Sequence, residues 1–114
     1  MTSITTHILD TARGRPAAGL AVTLSIRTGE RWTELARANT GPDGRIPNMI
    51  PAQAPVAAPG AIYRLTFAVE AYFAAQGIAP FYPMVDVVFR PQDDGHHHVP
   101  LLVSPFGYTT YRGS

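Results

Sequence analysis

Apolar and polar residues alternate with a period of two in several short segments, and this pattern constrains the fold more than any other feature. It is clearest over residues 20–27, where the apolar side chains share one face of a predicted strand: Leu20, Val22, Leu24 and Ile26. The residues between them, Ser25 included, are predicted to point outward. The same alternation over residues 3–10 and 61–69 predicts two more strands.

Turn-forming residues divide the rest of the chain. With 11 Pro and 10 Gly among 114 residues, the sequence favours many brief strands over long helices. Further strands are predicted over residues 32–39, 85–90, 99–103 and 108–112. Residues 47–60 carry Pro at every fourth position and predict an irregular connection, because Pro cannot donate to a strand ladder. The only helical signal covers residues 70–76, with Gly77 as the stop.

Seven or eight short strands with one short helix predict an all-β fold, an antiparallel β-sandwich. A chain of 114 residues that is 46% hydrophobic can bury one core, so residues 1–114 are expected to form a single domain. No segment approaches the roughly 18 apolar residues of a membrane span, and the N-terminus has no signal-peptide pattern, so a cytoplasmic location is expected.

Composition also excludes several kinds of chemistry and partner. The net charge is +1 with 15% charged residues, and no basic run is interleaved with aromatics, so no nucleic-acid partner is expected. The chain has no Cys, and all nine basic residues are Arg. Thiolate nucleophiles, Cys-bound metals and Lys Schiff bases are therefore excluded. Histidine, arginine, carboxylate and hydroxyl groups remain.

The His triplet at residues 96–98 is the densest group of such side chains. Histidine titrates near neutral pH, so His98 is a candidate general base, although an isolated strand histidine is more often a packing or surface residue. His96 and His97 are expected to cap a solvated turn. His7, His96 and His98 together offer a weak alternative, a three-histidine zinc site. Arg45 follows a Pro-Asp-Gly turn and is either a solvated strand start or a planar fork that binds a carbonyl or an anion.

The final residues, HHHVPLLVSPFGYTTYRGS, resemble the signature of the 5-hydroxyisourate hydrolases, the transthyretin-related enzymes of urate breakdown. That family closes with His-x-His-Val-Pro-Leu-Leu and a terminal Tyr-Arg-Gly-Ser. Further matches lie in the segments THILD from Thr6, DGR from Asp43 and FYP from Phe81. The sequence departs from the family at His97, where Tyr is usual, and in TGPDGR, which replaces Thr-Asn-x-Asp-Gly-Arg.

The resemblance implies a transthyretin-like sandwich that opens the cyclic amide of 5-hydroxyisourate without a cofactor or metal. It implies catalytic roles for His7, Arg45 and His98. It also implies that His7 and Arg45 bind substrate together with Tyr111, Arg112 and Ser114. Homotetramers with sites between subunits are expected. The alternative is a transthyretin-like carrier of a small molecule, and the terminal tetrapeptide and the two histidines favour the enzyme.

Overall fold

The computed structural model describes residues 2–114 and contains two sheets that pack face to face. The elements follow in chain order: β1 (Ser3–Asp10), β2 (Arg15–Pro16), β3 (Ala21–Thr28), β4 (Arg31–Asn39), β5 (Arg45–Ile46), β6 (Tyr63–Phe67), α1 (Val69–Ala74), β7 (Val85–Phe89), β8 (His96–Ser104) and β9 (Gly107–Thr110). Strands β2 and β5 have only two residues each. The other strands in the described chain are seven in number, in agreement with the predicted sandwich of seven or eight strands.

Strand β1 lies in the middle of one sheet, whose order is β2-β1-β8-β9, with β5 also paired to β1. The other sheet has the order β4-β3-β6-β7. Every pair is antiparallel except β1 and β8, which run parallel over eight residue pairs. The sequence did not predict this parallel pair, because alternation along a strand does not specify the direction of the neighbouring strand.

The core lies between the sheets and includes Leu20, Val22 and Leu24, which alternation predicted to face inward. Ile4 and Ile8 of β1 and Leu101 of β8 are fully buried, while the sequence neighbours of the two isoleucines stay partly exposed on the other face. Burial of such side chains stabilises the fold by about 1.5–3 kcal/mol each. These residues hold in place the sheet that contains β1 and β8, and the outer face of that sheet faces away from the core.

One predicted outward residue is buried. Ser25 is only 3% exposed, because the pairing between β3 and β4 shifts register between Leu24 and Ser25. Such a bulge re-aims side chains locally and cannot be seen in an alternating sequence.

Helix α1 is shorter than predicted and follows directly after β6. It buries Val69 and Phe73 against the core. Residues 47–60 contain no strand or helix, as their prolines predict. Among the described residues, no helix has the length and apolar character that a membrane crossing requires.

Candidate active site

The outer face of the β1–β8 sheet brings three predicted site residues together. Thr5 and His7 alternate with the buried residues of β1 and therefore point away from the core. In the register of the sheet, His7 lies opposite Arg45 of β5, and Thr5 lies opposite His98 of β8. The parallel pairing of β1 and β8 thus places a histidine from each end of the sequence on one surface.

An open cleft of about 700 Å³ covers this surface. Six of its lining residues carry polar side chains that matter for chemistry: Thr5, Asp43, Arg45, His96, His98 and Ser114. His7 is not among the lining residues and lies beside Arg45 at the margin. The cleft is large enough for a small planar molecule and is open to solvent.

His98 is the side chain in the cleft that is best suited to act as a base. Its Nδ1 lies 2.7 Å from the hydroxyl oxygen of Thr5. Burial lowers the pKa of His98 from its ordinary 6.5, and the positive charge of Arg45 and the neighbouring rings of His7 and His96 lower it further. The imidazole is therefore neutral at pH 7 and can accept a proton.

Arg45 is oriented by the turn that precedes it. The backbone N–H of Arg45 donates to Oδ1 of Asp43 at 3.0 Å, and its Nε lies 4.0 Å from Oδ2 of the same carboxylate. Gly44 adopts φ 77°, and a Cβ there would clash with the carbonyl oxygen of Ile8. Only glycine fits this tight approach of the turn to β1.

His7 is bound to the same turn. Its Nε2 lies 2.9 Å from the carbonyl oxygen of Asp43. A carbonyl oxygen can only accept, so Nε2 carries the hydrogen, and in the neutral ring Nδ1 holds the lone pair. The contact joins the predicted second histidine to the loop that carries Arg45.

The C-terminal residues return to the sheet. The N–H of Gly113 donates to the carbonyl oxygen of His98 at 2.8 Å and forms an isolated antiparallel bridge. A Cβ at Gly113 would lie 2.6 Å from Cδ2 of His98, so the backbone packs directly on the imidazole ring. Ser114 follows at the cleft. Residues 113 and 114 are therefore docked beside the proposed base.

Tyr111 and Arg112, which the resemblance assigns to substrate binding, do not line this cleft in the single chain. They line a neighbouring groove of about 210 Å³ between β7 and the start of β8, together with Phe89, His97 and Val99. The structure therefore brings Arg45, His98 and Ser114 into one cleft, with His7 beside it, and places Tyr111 and Arg112 next to it.

The expectation that His96 and His97 cap a solvated turn is wrong for both residues. They begin β8, which starts three residues earlier than predicted. His96 lines the cleft, with its Nδ1 2.9 Å from the hydroxyl of Ser3. His97 points inward and is 4% exposed, and neither of its ring nitrogens has a hydrogen-bond partner. Its position two residues before the inward-facing Val99 was the signal that would have predicted its burial.

No group of three or more His, Cys, Asp or Glu side chains is placed to hold a metal ion within residues 2–114. The weak zinc alternative based on His7, His96 and His98 thus has no preformed cluster in the described chain. The groups that face the cleft are the imidazoles of His96 and His98, a guanidinium, a carboxylate and hydroxyls. Fold and site together define a small β-sandwich protein with an acid–base site on the outer face of one sheet.

Comparisons with known proteins agree with this description. The HIUase/Transthyretin family profile matches residues 4–113. The 5-hydroxyisourate hydrolase of Caulobacter vibrioides is 47% identical and is matched over 100% of both chains. The solved 5-hydroxyisourate hydrolase of Klebsiella pneumoniae superposes with a TM-score of 0.83 at 39% identity, over 100% of both chains. Transthyretin from Sparus aurata superposes with a TM-score of 0.86 at 36% identity, over 99% of this chain and 97% of that one.

The chain belongs to the HIUase/Transthyretin family. The resemblance noted in the sequence is confirmed, and so is the transthyretin-like sandwich. Because a hydrolase and a transthyretin share the fold, the fold alone does not select the activity.

Proposed function

We propose that the protein hydrolyses 5-hydroxyisourate, opening its cyclic amide to give 2-oxo-4-hydroxy-4-carboxy-5-ureidoimidazoline in urate catabolism. The relatives named as this hydrolase match the full length of the chain, at identities up to 47%. The observation that carries the proposal is the position of the His98 imidazole, whose pKa is lowered by burial and by Arg45, in a cleft that it shares with Arg45.

The reaction needs a base for water and a positive group for the oxygen that becomes negative. His98 takes a proton from water as the water oxygen bonds to the amide carbon. Arg45 binds that carbonyl and stabilises the oxyanion. The C–N bond of the ring then breaks, and the leaving nitrogen takes up a proton. His7, with its Nδ1 free, is the second group able to exchange protons at the margin of the cleft.

Ser114, Tyr111 and Arg112 are proposed as substrate-binding residues, together with His7 and Arg45. Ser114 supports this assignment by lining the cleft. Tyr111 and Arg112 lie two residues and one residue, respectively, before Gly113, whose bridge holds it against His98. Their proposed role requires their side chains to reach a substrate that extends toward the neighbouring groove. Water can attack an activated carbonyl without a cofactor, so we propose that the reaction needs none. We also propose a cytoplasmic location.

A transthyretin-like carrier is the alternative, and the site argues against it. A carrier has no need of a neutral imidazole whose pKa is lowered by burial and by Arg45. Perturbed titration of this kind in a cleft is typical of a catalytic group.

The test follows the ultraviolet decay of freshly made 5-hydroxyisourate with and without the protein. His98→Asn and Arg45→Gln should each lower the rate by roughly 10² or more, because each removes a group that acts in the transition state. Arg37→Gln is the matched control, since Arg37 is an exposed arginine paired with Glu34 outside the cleft. Near-normal turnover by folded His98→Asn would reject the assignment. No acceleration by the wild type would favour the carrier.

We also propose a homotetramer with sites between subunits. Two features support association: the cleft is open on its outer side, and large apolar side chains remain exposed on the chain, such as Phe81, Val88 and Phe106. Phe81 also packs on Tyr82, which packs on Tyr108, and a contiguous exposed apolar patch usually marks an interface. Light scattering should report about four chains of 12.3 kDa. A fully active monomer at nanomolar concentration would contradict a site shared between subunits.

A further inference from the structure

Hydroxyl and imidazole groups alternate along the floor of the cleft, from the proposed base toward the margin of the sheet. Nδ1 of His98 lies 2.7 Å from Oγ1 of Thr5. The same Thr5 oxygen lies 3.3 Å from Nε2 of His96. Nδ1 of His96 in turn lies 2.9 Å from Oγ of Ser3. Every step is within hydrogen-bonding distance.

We propose that His98, Thr5, His96 and Ser3 form a proton relay, in which Thr5 and His96 hold His98 in its basic form and carry protons from it to solvent. The inference rests on the proposed hydrolysis for its catalytic consequence. Thr5 and His96 are positioning residues, since they act through His98.

The parallel pairing of β1 and β8 builds this chain of groups. Ser3 lies opposite His96, and Thr5 lies opposite His98. Residues two apart in a strand share a face, so both pairs point into the cleft. The two imidazole rings lie 6.4 Å apart with an angle of 11° between their planes, which leaves the Thr5 hydroxyl in reach of both. A shift of one residue in the register of β8 would turn His96 and His98 toward the core.

The relay has one direction that is consistent with a basic His98. If Thr5 donated its only proton to Nδ1 of His98, the neutral ring would carry its hydrogen on Nε2, and no nitrogen would remain to accept a proton. His98 therefore donates from Nδ1 to Thr5, and Thr5 donates to Nε2 of His96. His96 then donates from Nδ1 to Ser3. In this arrangement each nitrogen and hydroxyl has a partner, and Nε2 of His98 is left as the base.

The reaction supplies a proton for the relay to remove. Water adds across the C–N bond, one of its protons ends on the leaving nitrogen, and the other ends on a new carboxylic acid. That acid ionises at neutral pH, because carboxyl groups titrate near pH 4. One proton per turnover must therefore leave the cleft.

The transfer involves only N–H and O–H bonds. Nε2 of His98 takes the carboxyl proton, and Nδ1 passes its proton to Thr5 as Thr5 passes its own to His96. His96 passes its Nδ1 proton to Ser3, and Ser3 releases one to bulk water. After the product leaves, a proton from bulk water enters at Ser3, the same transfers run in reverse, and Nε2 of His98 gives its proton to water in the open cleft. The starting tautomers return, and the charge balance closes with one proton in solvent.

The direct test is ¹⁵N NMR of the imidazoles above the titration range of the wild-type protein. His98 should be in the Nδ1–H form, and Thr5→Val should lose that preference because it removes the hydroxyl and keeps the shape. Thr5→Ser should restore it. A wild-type His98 in the Nε2–H form, or tautomers unchanged in Thr5→Val, would overturn the relay. This measurement needs no substrate, so it is independent of the proposed function.

Kinetics give the second test. Thr5→Val and His96→Ala should lower kcat by roughly 10-fold to 100-fold with little change in KM. Thr5→Ser should recover most of the rate. Adding imidazole buffer should raise kcat of His96→Ala, since a diffusible base replaces the missing proton acceptor, and should leave the wild type unchanged. Loss of rate without buffer rescue would reduce His96 to a packing role and overturn the relay. An inactive wild type would instead reject the proposed function, while the NMR result would still stand.

Discussion

Gly113→Ala is expected to disable the site while leaving the fold nearly as stable as before. The added Cβ would lie 2.6 Å from Cδ2 of His98 and 3.3 Å from Cγ. Carbon atoms normally approach to about 3.5–4.0 Å, so the overlap is about 1 Å. The His98 ring cannot move away without weakening its 2.7 Å contact with Thr5. The alternative is that the backbone at residue 113 moves and loses its 2.8 Å hydrogen bond to the His98 carbonyl.

Either movement misplaces a group in the cleft by about 1 Å, and a misplacement of that size costs on the order of 10²-fold in rate. The stability cost is smaller. Losing one hydrogen bond at an exposed segment costs about 0.5–1.5 kcal/mol. At about 4 °C per kcal/mol for a domain of this size, Tm should fall by only a few degrees.

Gly107→Ala is the matched control. A Cβ at Gly107 meets only Oγ of Ser104, at 3.8 Å, which is ordinary contact. The assay compares kcat/KM, from the ultraviolet decay of 5-hydroxyisourate, with Tm for both variants. If Gly113→Ala keeps a kcat/KM within twofold of Gly107→Ala, then residues 113 and 114 do not pack against His98 during the reaction, and the predicted effect of the substitution is wrong.

Two further predictions concern pH and packing. Burial and Arg45 lower the pKa of His98, so kcat/KM should rise with pH through a midpoint below 6.5 as the imidazole loses its proton. The residual activity of Arg45→Gln should show a higher midpoint. A wild-type midpoint at or above 6.5 would contradict the assignment of His98 as the base. His97→Phe replaces a buried ring without hydrogen-bond partners, so the free energy of unfolding measured in urea should rise by about 1 kcal/mol. Equal or lower stability would show that the 3.4 Å contact between His97 and Asp93 stabilises the fold.

Local patterns in the sequence predicted most of the strands. Alternation placed Val22 and Leu24 on the core side of β3, and the structure buries both. Proline spacing predicted the irregular connection, and Gly77 predicted a helix end close to the observed one at Ala74. These features depend on neighbours in the sequence, and so a single sequence contains enough information to predict them.

Features that depend on distant partners could not be predicted in this way. Alternation predicted a strand over residues 3–10, but the register of Thr5 with His98 depends on a partner 93 positions later. For this reason the sequence did not predict Ser3 and Thr5, whose hydroxyls belong to the proposed relay, as site residues. The direction of residues 111 and 112 could not be predicted either, because β9 ends at Thr110 and the period of a strand no longer applies. The resemblance to a known family selected His7 and Arg45, which composition alone would have left as ordinary polar residues.

The parallel pairing of β1 with β8 also sets the order in which the molecule can be completed during synthesis. Thr5 and His98 are 93 residues apart, so at about 5–20 residues per second the ribosome needs on the order of 5–20 s to supply β1 with its long neighbour. Strands β3, β4, β6 and β7 form the other sheet entirely from residues made before β8. We therefore expect hydrogen exchange on stalled nascent chains to show protection in that sheet first, and early protection of β1 would contradict this order. Until β8 emerges, the nascent chain carries Arg45 and His7 without the base they are proposed to assist.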